Sequence, residues 1–439
     1  MHPASGDARE IDDMKRILGA IEQGVIGCAL LLLVTVSAEV QAVIPGVTGS
    51  TFNLTAKAGY ISLGDGDSLW TWGYANGNGV MQYPGVTLIV NQGDTVTVNL
   101  RNTLPVPVSI IFPGQQGVTA VGGNAGLLTQ EVPPDNGATQ VSYTFTALQP
   151  GTYQYHSGTR PELQVEMGLV GAIIVRPQGQ NAAQRAYAHP DTAFDHEYLF
   201  LLTEMDPAIH ELVEAGRMDE AYNSTNHSVF WFINGRNAPD TIADAFAPWL
   251  PHQPYNCLPR MHPGERLLMR VVNAGRDLHP FHTHGNNSTV IARDGRMLES
   301  APGAGPDLGA SDFTIKTLPG ETYDAIFEWT GKGLGWDIYG HTSTDPATLQ
   351  PHEYAPDHGK PLPVILPNQL DLTFGGYYGG GPFLGAFGVL PPGQGGLNLN
   401  AGYFHMWHSH TERELVNNDI FPGGMMTMLI IEPPGVPIP

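Results

Sequence analysis

Residues 86–100 read Val-Thr-Leu-Ile-Val-Asn-Gln-Gly-Asp-Thr-Val-Thr-Val-Asn-Leu, with apolar and polar positions alternating on both sides of a Gly-Asp pair. A period of two belongs to a half-buried strand, so the segment predicts a hairpin of two strands. Val141-Ser-Tyr-Thr-Phe-Thr alternates again, and Pro150-Gly-Thr-Tyr-Gln-Tyr-His156 leads into Gly168-Leu-Val-Gly-Ala-Ile-Ile-Val175. Together these predict a first Greek-key β-sandwich over 46–178. Residues 179–194, rich in Gln, Ala and Pro, read as a linker. A second unit, 195–435, opens on the strand Glu197-Tyr-Leu-Phe-Leu-Leu-Thr-Glu204. It continues with a short helix from Asp206 to Gly216 and a strand from Phe230 to Arg236 around an Asn-Gly turn. Pro263-Gly-Glu-Arg-Leu-Leu-Met-Arg-Val-Val-Asn-Ala-Gly275 then repeats the pattern of 86–102, so the fold is expected to be duplicated. From about 343 to 400 the periodicity gives way to Gly379-Gly-Gly and Pro391-Pro-Gly-Gln-Gly-Gly, a long insertion that is either a functional loop or a decayed domain. The expected class is all-β, with tandem Greek-key sandwiches.

Composition agrees with this and narrows the partners. The 439 residues include 54 Gly and 37 Pro, only 14% are charged, and the formal charge is −22. Such acidity argues against nucleic acid and against anionic membrane surfaces. Residues 1–42 hold a secretory signal: Met14-Lys15-Arg16 gives a basic start, Gly24–Ser37 an apolar core, and Val40-Gln41-Ala42 a cleavage site. Glu10, Asp12 and Asp13 do not suit a signal, which places the translation start at Met14. The apolar run is short for a transmembrane span. An exported protein is expected, in the periplasm, outside the cell or at its surface. Of the two Cys, Cys28 lies in the signal, in a Val-Ile-Gly-Cys sequence that resembles a lipoprotein box without the preceding apolar core. Cys257 remains as a single thiol, and an isolated structural thiol is favoured over a displaced metal ligand.

Histidine supplies the candidate chemistry. His279-Pro-Phe-His282-Thr-His284-Gly and Trp407-His408-Ser-His410 each carry two His two residues apart, and His156 ends a Gly-Thr-Tyr strand. Residues two apart in a strand share a face, so each pair can aim at one ion. Neutral imidazole ligates copper or zinc well.

Gly151-Thr-Tyr-Gln-Tyr-His-Ser, the 279–285 segment and Trp407-His-Ser-His, in that order, resemble copper segments of the multicopper oxidase family, the laccase-like proteins built of cupredoxin domains. Gly168–Val175, Val290-Ile-Ala-Arg-Asp-Gly and Gly423-Gly-Met-Met-Thr-Met extend the likeness over most of the mature chain. The resemblance implies trinuclear-type ligands at His156, His282, His284, His408 and His410, and a type 1-type ligand at His279, with Met425 or Met426 as axial candidates. It also marks departures. Ile111 and Pro113 stand where the family's first segment has His, and Gly158 replaces the second His of the next segment. Ser409 replaces the Cys whose thiolate makes the blue site, and Glu414 takes the place of a further His.

A three-ion cluster is not expected from such a set. One metal held by three or four of the retained His is, with Glu412 and Glu414 as added carboxylates. The expected protein is an exported copper binder of reduced stoichiometry, zinc being the alternative ion. If active, it is an oxidoreductase acting on a small molecule or metal ion, without laccase-type four-electron oxygen reduction. The alternative is a metal-free cupredoxin scaffold that binds a partner. Two-domain relatives build their cluster between subunits, which implies a homotrimer in which His156 and His408 meet across an interface.

Overall fold

The computed structural model describes residues 44–179, 184–332, 335, 337, 339–346, 353–361, 381–383, 402–432 and 436–438. The signal sequence, Cys28 and most of the 343–400 insertion lie outside these residues. Of the insertion, a short turn at Ala355–Asp357 and the strand Gly381–Phe383 are described, the latter paired with Gly402–Ser409. Among the described residues no helix is long and apolar enough to cross a membrane.

Two β-sandwiches follow one another, as the alternation predicts. In the first, the sheet Ser68–Asn76, Thr51–Ser62, Thr95–Asn102, Val141–Thr146, Thr119–Val121 faces the sheet Val47–Thr48, Leu88–Asn91, Val170–Arg176, Gly151–His156. In the second, the sheet carrying His196–Met205, Arg266–Asn273 and Thr322–Glu328 faces one carrying Met426–Ile431, Gly402–Ser409, His279–Thr283 and Thr314–Thr317. The duplication is visible in the pairing. Thr51–Ser62 runs parallel to Thr95–Asn102, as His196–Met205 does to Arg266–Asn273. Gly151–His156 pairs antiparallel with Val170–Arg176, as Gly402–Ser409 does with Met426–Ile431.

The 86–100 segment departs from expectation. Its two strands form, but Leu88–Asn91 and Thr95–Asn102 enter opposite sheets, so the Gly93-Asp94 turn is an arch between layers rather than a hairpin. The burial pattern gives the reason. Thr95–Asn102 buries alternate residues, whereas Leu88, Ile89 and Val90 are all buried. Leu88 and Val90 fill the first core, while Ile89 turns the other way to meet Leu199, Leu201 and Phe232 of the second sandwich. Val170–Arg176 behaves likewise, with Ile173 and Val175 inward and Val170, Ala172 and Ile174 toward the second sandwich. That sheet is covered on both faces and reads as a continuous apolar run. The Asp206–Gly216 helix is observed as Pro207–Glu214, capped by Asp206, which accepts from Ala208 N (2.9 Å).

A buried ionic network also ties the sandwiches together. Arg270 donates through Nε to Glu197 (2.9 Å) and through Nη1 to Thr152 Oγ1 (3.0 Å), with Asp324 3.4 Å away. Arg176 donates to the same Glu197 (2.7 Å), and Tyr187 OH to Asp324 (2.6 Å). Thr152 and Arg176 belong to the first sandwich; Glu197, Arg270 and Asp324 belong to the second. Burial opposes ionisation of Glu197, yet the Arg270 and Arg176 guanidiniums hold its carboxyl below the usual range.

Candidate metal centre

His279–Thr283 and Gly402–Ser409 are neighbouring antiparallel strands in which His282 lies directly opposite His408, and Phe281 opposite Ser409. Because side chains alternate, this ribbon has two chemically different faces. One carries His282 and His408, the other His279, Phe281 and Ser409.

On the first face, nitrogens of His282, His284 and His408 all lie within 4.8 Å of one another. His284 Nδ1 is 3.0 Å from His408 Nε2. The exposed His410 adds a fourth ring, its centroid 4.8 Å from that of His282 and 5.9 Å from that of His408. The second nitrogens are pinned. His282 Nδ1 bonds Phe313 O (2.8 Å), and His408 Nδ1 bonds Ser409 O (2.5 Å). Each bond places the proton on Nδ1 and directs the Nε2 lone pair elsewhere, the arrangement typical of metal-ligating imidazole. Burial, reinforced by the neighbouring imidazoles, pushes the His282 and His408 pKa values down to about 4. Burial also lowers that of His284. These rings are therefore uncharged at neutral pH.

His156 lies outside that group. Its Nδ1 bonds Ser157 O (2.9 Å), burial lowers its pKa, and its backbone exchanges hydrogen bonds with Ile111. Ile111 and Gly158 account for each other. A Cβ at 158 would lie 2.6 Å from Ile111 Cγ2 and 3.1 Å from Ser109 Oγ, so the isoleucine occupies the space any side chain there would enter. Pro113 and Gly114 line a cleft with Tyr153 and Gln154. Thus the retained pairs sit on the second sandwich, and the departures Ile111, Pro113 and Gly158 all fall in the first. We expect Gly158→Ala to destabilise by about 1–3 kcal/mol through overpacking, and Ile111→Ala in the same chain to relieve much of it. Urea unfolding of the single and double variants measures this; additive losses would contradict the coupling.

On the opposite face, His279 is fully buried between two carboxylates. Its Nε2 donates to Glu204 (2.7 Å) and its Nδ1 to Glu414 (2.9 Å). Burial works against a charged ring, but the bonds and charges of Glu204 and Glu414 outweigh it and raise the pKa to about 9. Both nitrogens therefore carry protons at neutral pH. His279, the expected type 1-type ligand, is thus enclosed by Glu204 and Glu414. Glu414 faces that ring, and Glu412 is exposed. Glu204 is the residue the motif reading missed. Its signal was a carboxylate inside the otherwise buried strand His196–Met205. It also accepts from Arg276 N (2.5 Å), and Gly275 admits it, since a Cβ there would lie 2.0 Å from Glu204 Oε2. Ser409 Oγ accepts from Thr411 N (3.1 Å). Met425 and Cys257 are packed in the second core, and burial pushes the Cys257 thiol well up, as suits a structural cysteine.

Comparison with known proteins follows the same lines. Residues 60–180 match the multicopper oxidase family. The chain is 28% identical to copper resistance protein A of Escherichia coli over 279 residues, 57% of this chain and 42% of that protein. It is 27% identical to laccase-19 of Oryza sativa subsp. japonica over 325 residues, 68% of this chain and 48% of that one. Among solved structures, the multicopper oxidase mgLAC superposes with a TM-score of 0.54 at 20% identity, covering 89% of this chain and 87% of that one. The blue copper oxidase of Nitrosomonas europaea gives 0.53 at 19% identity, covering 86% and 85%.

Residues 60–180 thus carry a multicopper oxidase domain, and the chain is similar to copper resistance proteins and laccases. Its sandwiches have the cupredoxin-type all-β fold of those structures, and the chain spans about half the length of the curated relatives it matches. Copper is the metal the family implies, and the two faces of the ribbon answer it differently. The neutral imidazoles of His282, His284 and His408 fit a copper ion. The opposite face does not fit a blue copper centre: it presents a hydroxyl, an imidazolium and two carboxylates, with no thiolate.

Proposed function

We propose that this is an exported member of the family that holds copper at a reduced His cluster in its second sandwich, without laccase-type four-electron oxygen reduction. The observation that carries this is the meeting of three imidazole nitrogens within 4.8 Å, with His282 and His408 each anchored through Nδ1. His282 and His408 would present Nε2, and His284 would complete the set with His410 beside it. Bound copper would supply one-electron redox chemistry toward a small molecule or metal ion. The chain's own part is to keep the ligands unprotonated and oriented. Ser409 and the Glu204–His279–Glu414 triad support the absence of a thiolate relay for electrons. Metal-depleted protein titrated with Cu2+ is expected to take up one equivalent at this site, which His282→Ala/His408→Ala removes. An intense blue thiolate-to-copper absorption band would overturn the reading. A zinc equivalent that is lost on His282→Ala/His408→Ala would make zinc the resident ion of this cluster.

A metal-free scaffold that binds a partner is the second reading, favoured by the way Ile111 fills the space at Gly158. Failure of metal-depleted protein to take up copper would establish it. His156 stands apart from the cluster within one chain, which supports a homotrimer in which the partner's His156 approaches His408. Light scattering on the purified protein tests this, and a monomer would end that part of the proposal.

A further inference from the structure

Outside the His cluster, a second set of metal-ligating side chains meets on the segment that follows Trp329. Asp337, His341, Glu353 and His358 each bring one donor atom within 4.8 Å of the others. His341 Nδ1 is 3.0 Å from Asp337 Oδ2 and 3.1 Å from Glu353 Oε1. His358 Nδ1 is 3.7 Å from Asp337 Oδ2 and in close contact with Glu353 Oε1. Four donors around an ion with bonds of about 2.0–2.2 Å stand roughly 3.3–3.6 Å apart, so these separations bracket a tetrahedral shell. The two rings lie with centroids 4.6 Å apart. The carboxylates of Asp337 and Glu353 are only 1% and 2% accessible.

Three features distinguish this from a solvated charge cluster. His358 Nε2 donates to the backbone oxygen of Asp345 (2.9 Å), which leaves Nδ1 as the ring atom that faces Glu353. Asp337 is held from behind, with Tyr339 N donating to Oδ1 (2.8 Å) and Gly359 N to Oδ2 (2.7 Å). Finally, the charge of two buried carboxylates is balanced by one divalent ion. Imidazole in the set selects a transition ion over calcium or magnesium, and the lack of thiolate and of an open position fits a closed, structural site.

We propose that Asp337, His341, Glu353 and His358 form a mononuclear structural site for a divalent transition ion of the zinc type, separate from the His282 cluster. The ion ties Asp337 and His341 to Glu353 and His358 beside the second sandwich, whose core Tyr339 already packs against. The His282→Ala/His408→Ala chain keeps the new site while removing the other. Depleted of metal and dialysed against Zn2+ alone, it is expected to retain one equivalent by elemental analysis. Adding Asp337→Asn with His358→Ala is expected to abolish that equivalent, and His341→Ala alone to weaken zinc affinity at least tenfold. Co2+ in place of Zn2+ should give the intense d–d bands of a four-coordinate ion, a readout on folded protein whatever the fate of the multiple variant. No zinc retained by the His282→Ala/His408→Ala chain, an equivalent that survives Asp337→Asn/His358→Ala, or weak six-coordinate cobalt bands would each overturn the proposal. These outcomes are independent of whether copper binds at His282 and His408.

Discussion

The stability of this protein should fall by about 3 kcal/mol between pH 6.5 and 9.5, relative to a His279→Gln variant measured in the same way. The imidazole of His279 has a folded pKa of about 9, against an ordinary value near 6.5. A group whose pKa is raised on folding binds its proton more tightly in the native state. Its contribution is complete below the unfolded pKa and is lost as pH climbs through the folded one. The window is therefore pH 6.5 to about 9, and the loss follows from the size of the shift. Urea unfolding at half-unit intervals gives the difference curve. It should slope downward across that window and level off above it; a flat difference would show that the ring is not charged in the native state. His279→Ala should cost more than the glutamine variant, because it leaves Glu204 and Glu414 buried with a void between them.

The second large effect belongs to Arg270. Replacing it with Met removes the cation that faces both Glu197 and Asp324, whose side chains are 3% and 2% accessible. Breaking a buried pair from one side strands the other charge, at about 3–5 kcal/mol. The network joins Thr152 and Arg176 of one sandwich to three residues of the other, so the loss should appear in one shared unfolding transition at lower urea. Fluorescence and far-UV dichroism should report the same midpoint. Two separated transitions, with only one of them shifted, would show that the network does not couple the sandwiches. Asp324→Asn in the Arg270→Met background should recover part of the loss, since Asp324 loses the cation that faces it while Glu197 keeps Arg176.

Much of this architecture was legible from alternation alone. The strands around 86–100, 141–146, 151–175 and 263–275 lie where the period of two places them, and the repeat of 86–102 at 263–275 is a repeat of pairing. Pleating puts His282 and His284 on one side, as the His-x-His spacing indicates, and the strand register places His408 opposite His282. What the chain did not disclose depends on contacts distant in sequence. The Gly93-Asp94 turn has the same chemistry whether it closes a hairpin or arches between sheets, and only the two-sided burial of Leu88, Ile89 and Val90 decides. Glu204 lies 75 positions from His279, and nothing in the local pattern announces the pairing. Asp337, His341, Glu353 and His358 fall where hydrophobic periodicity fades, so their convergence appears only in three dimensions.

The contact between Ile111 and Gly158 bears on how such a protein can change. A histidine restored at 158 alone would collide with the isoleucine. One restored at 111 alone would exchange a packed apolar side chain for a polar ring with no ion to hold it. Each single reversal is penalised, and only the pair of changes opens the position. Positions 111 and 158 of the first sandwich are therefore coupled, and a larger side chain enters 158 only when Ile111 gives way. Anyone seeking to rebuild a fuller copper cluster in this chain should begin with a double exchange at those two sites.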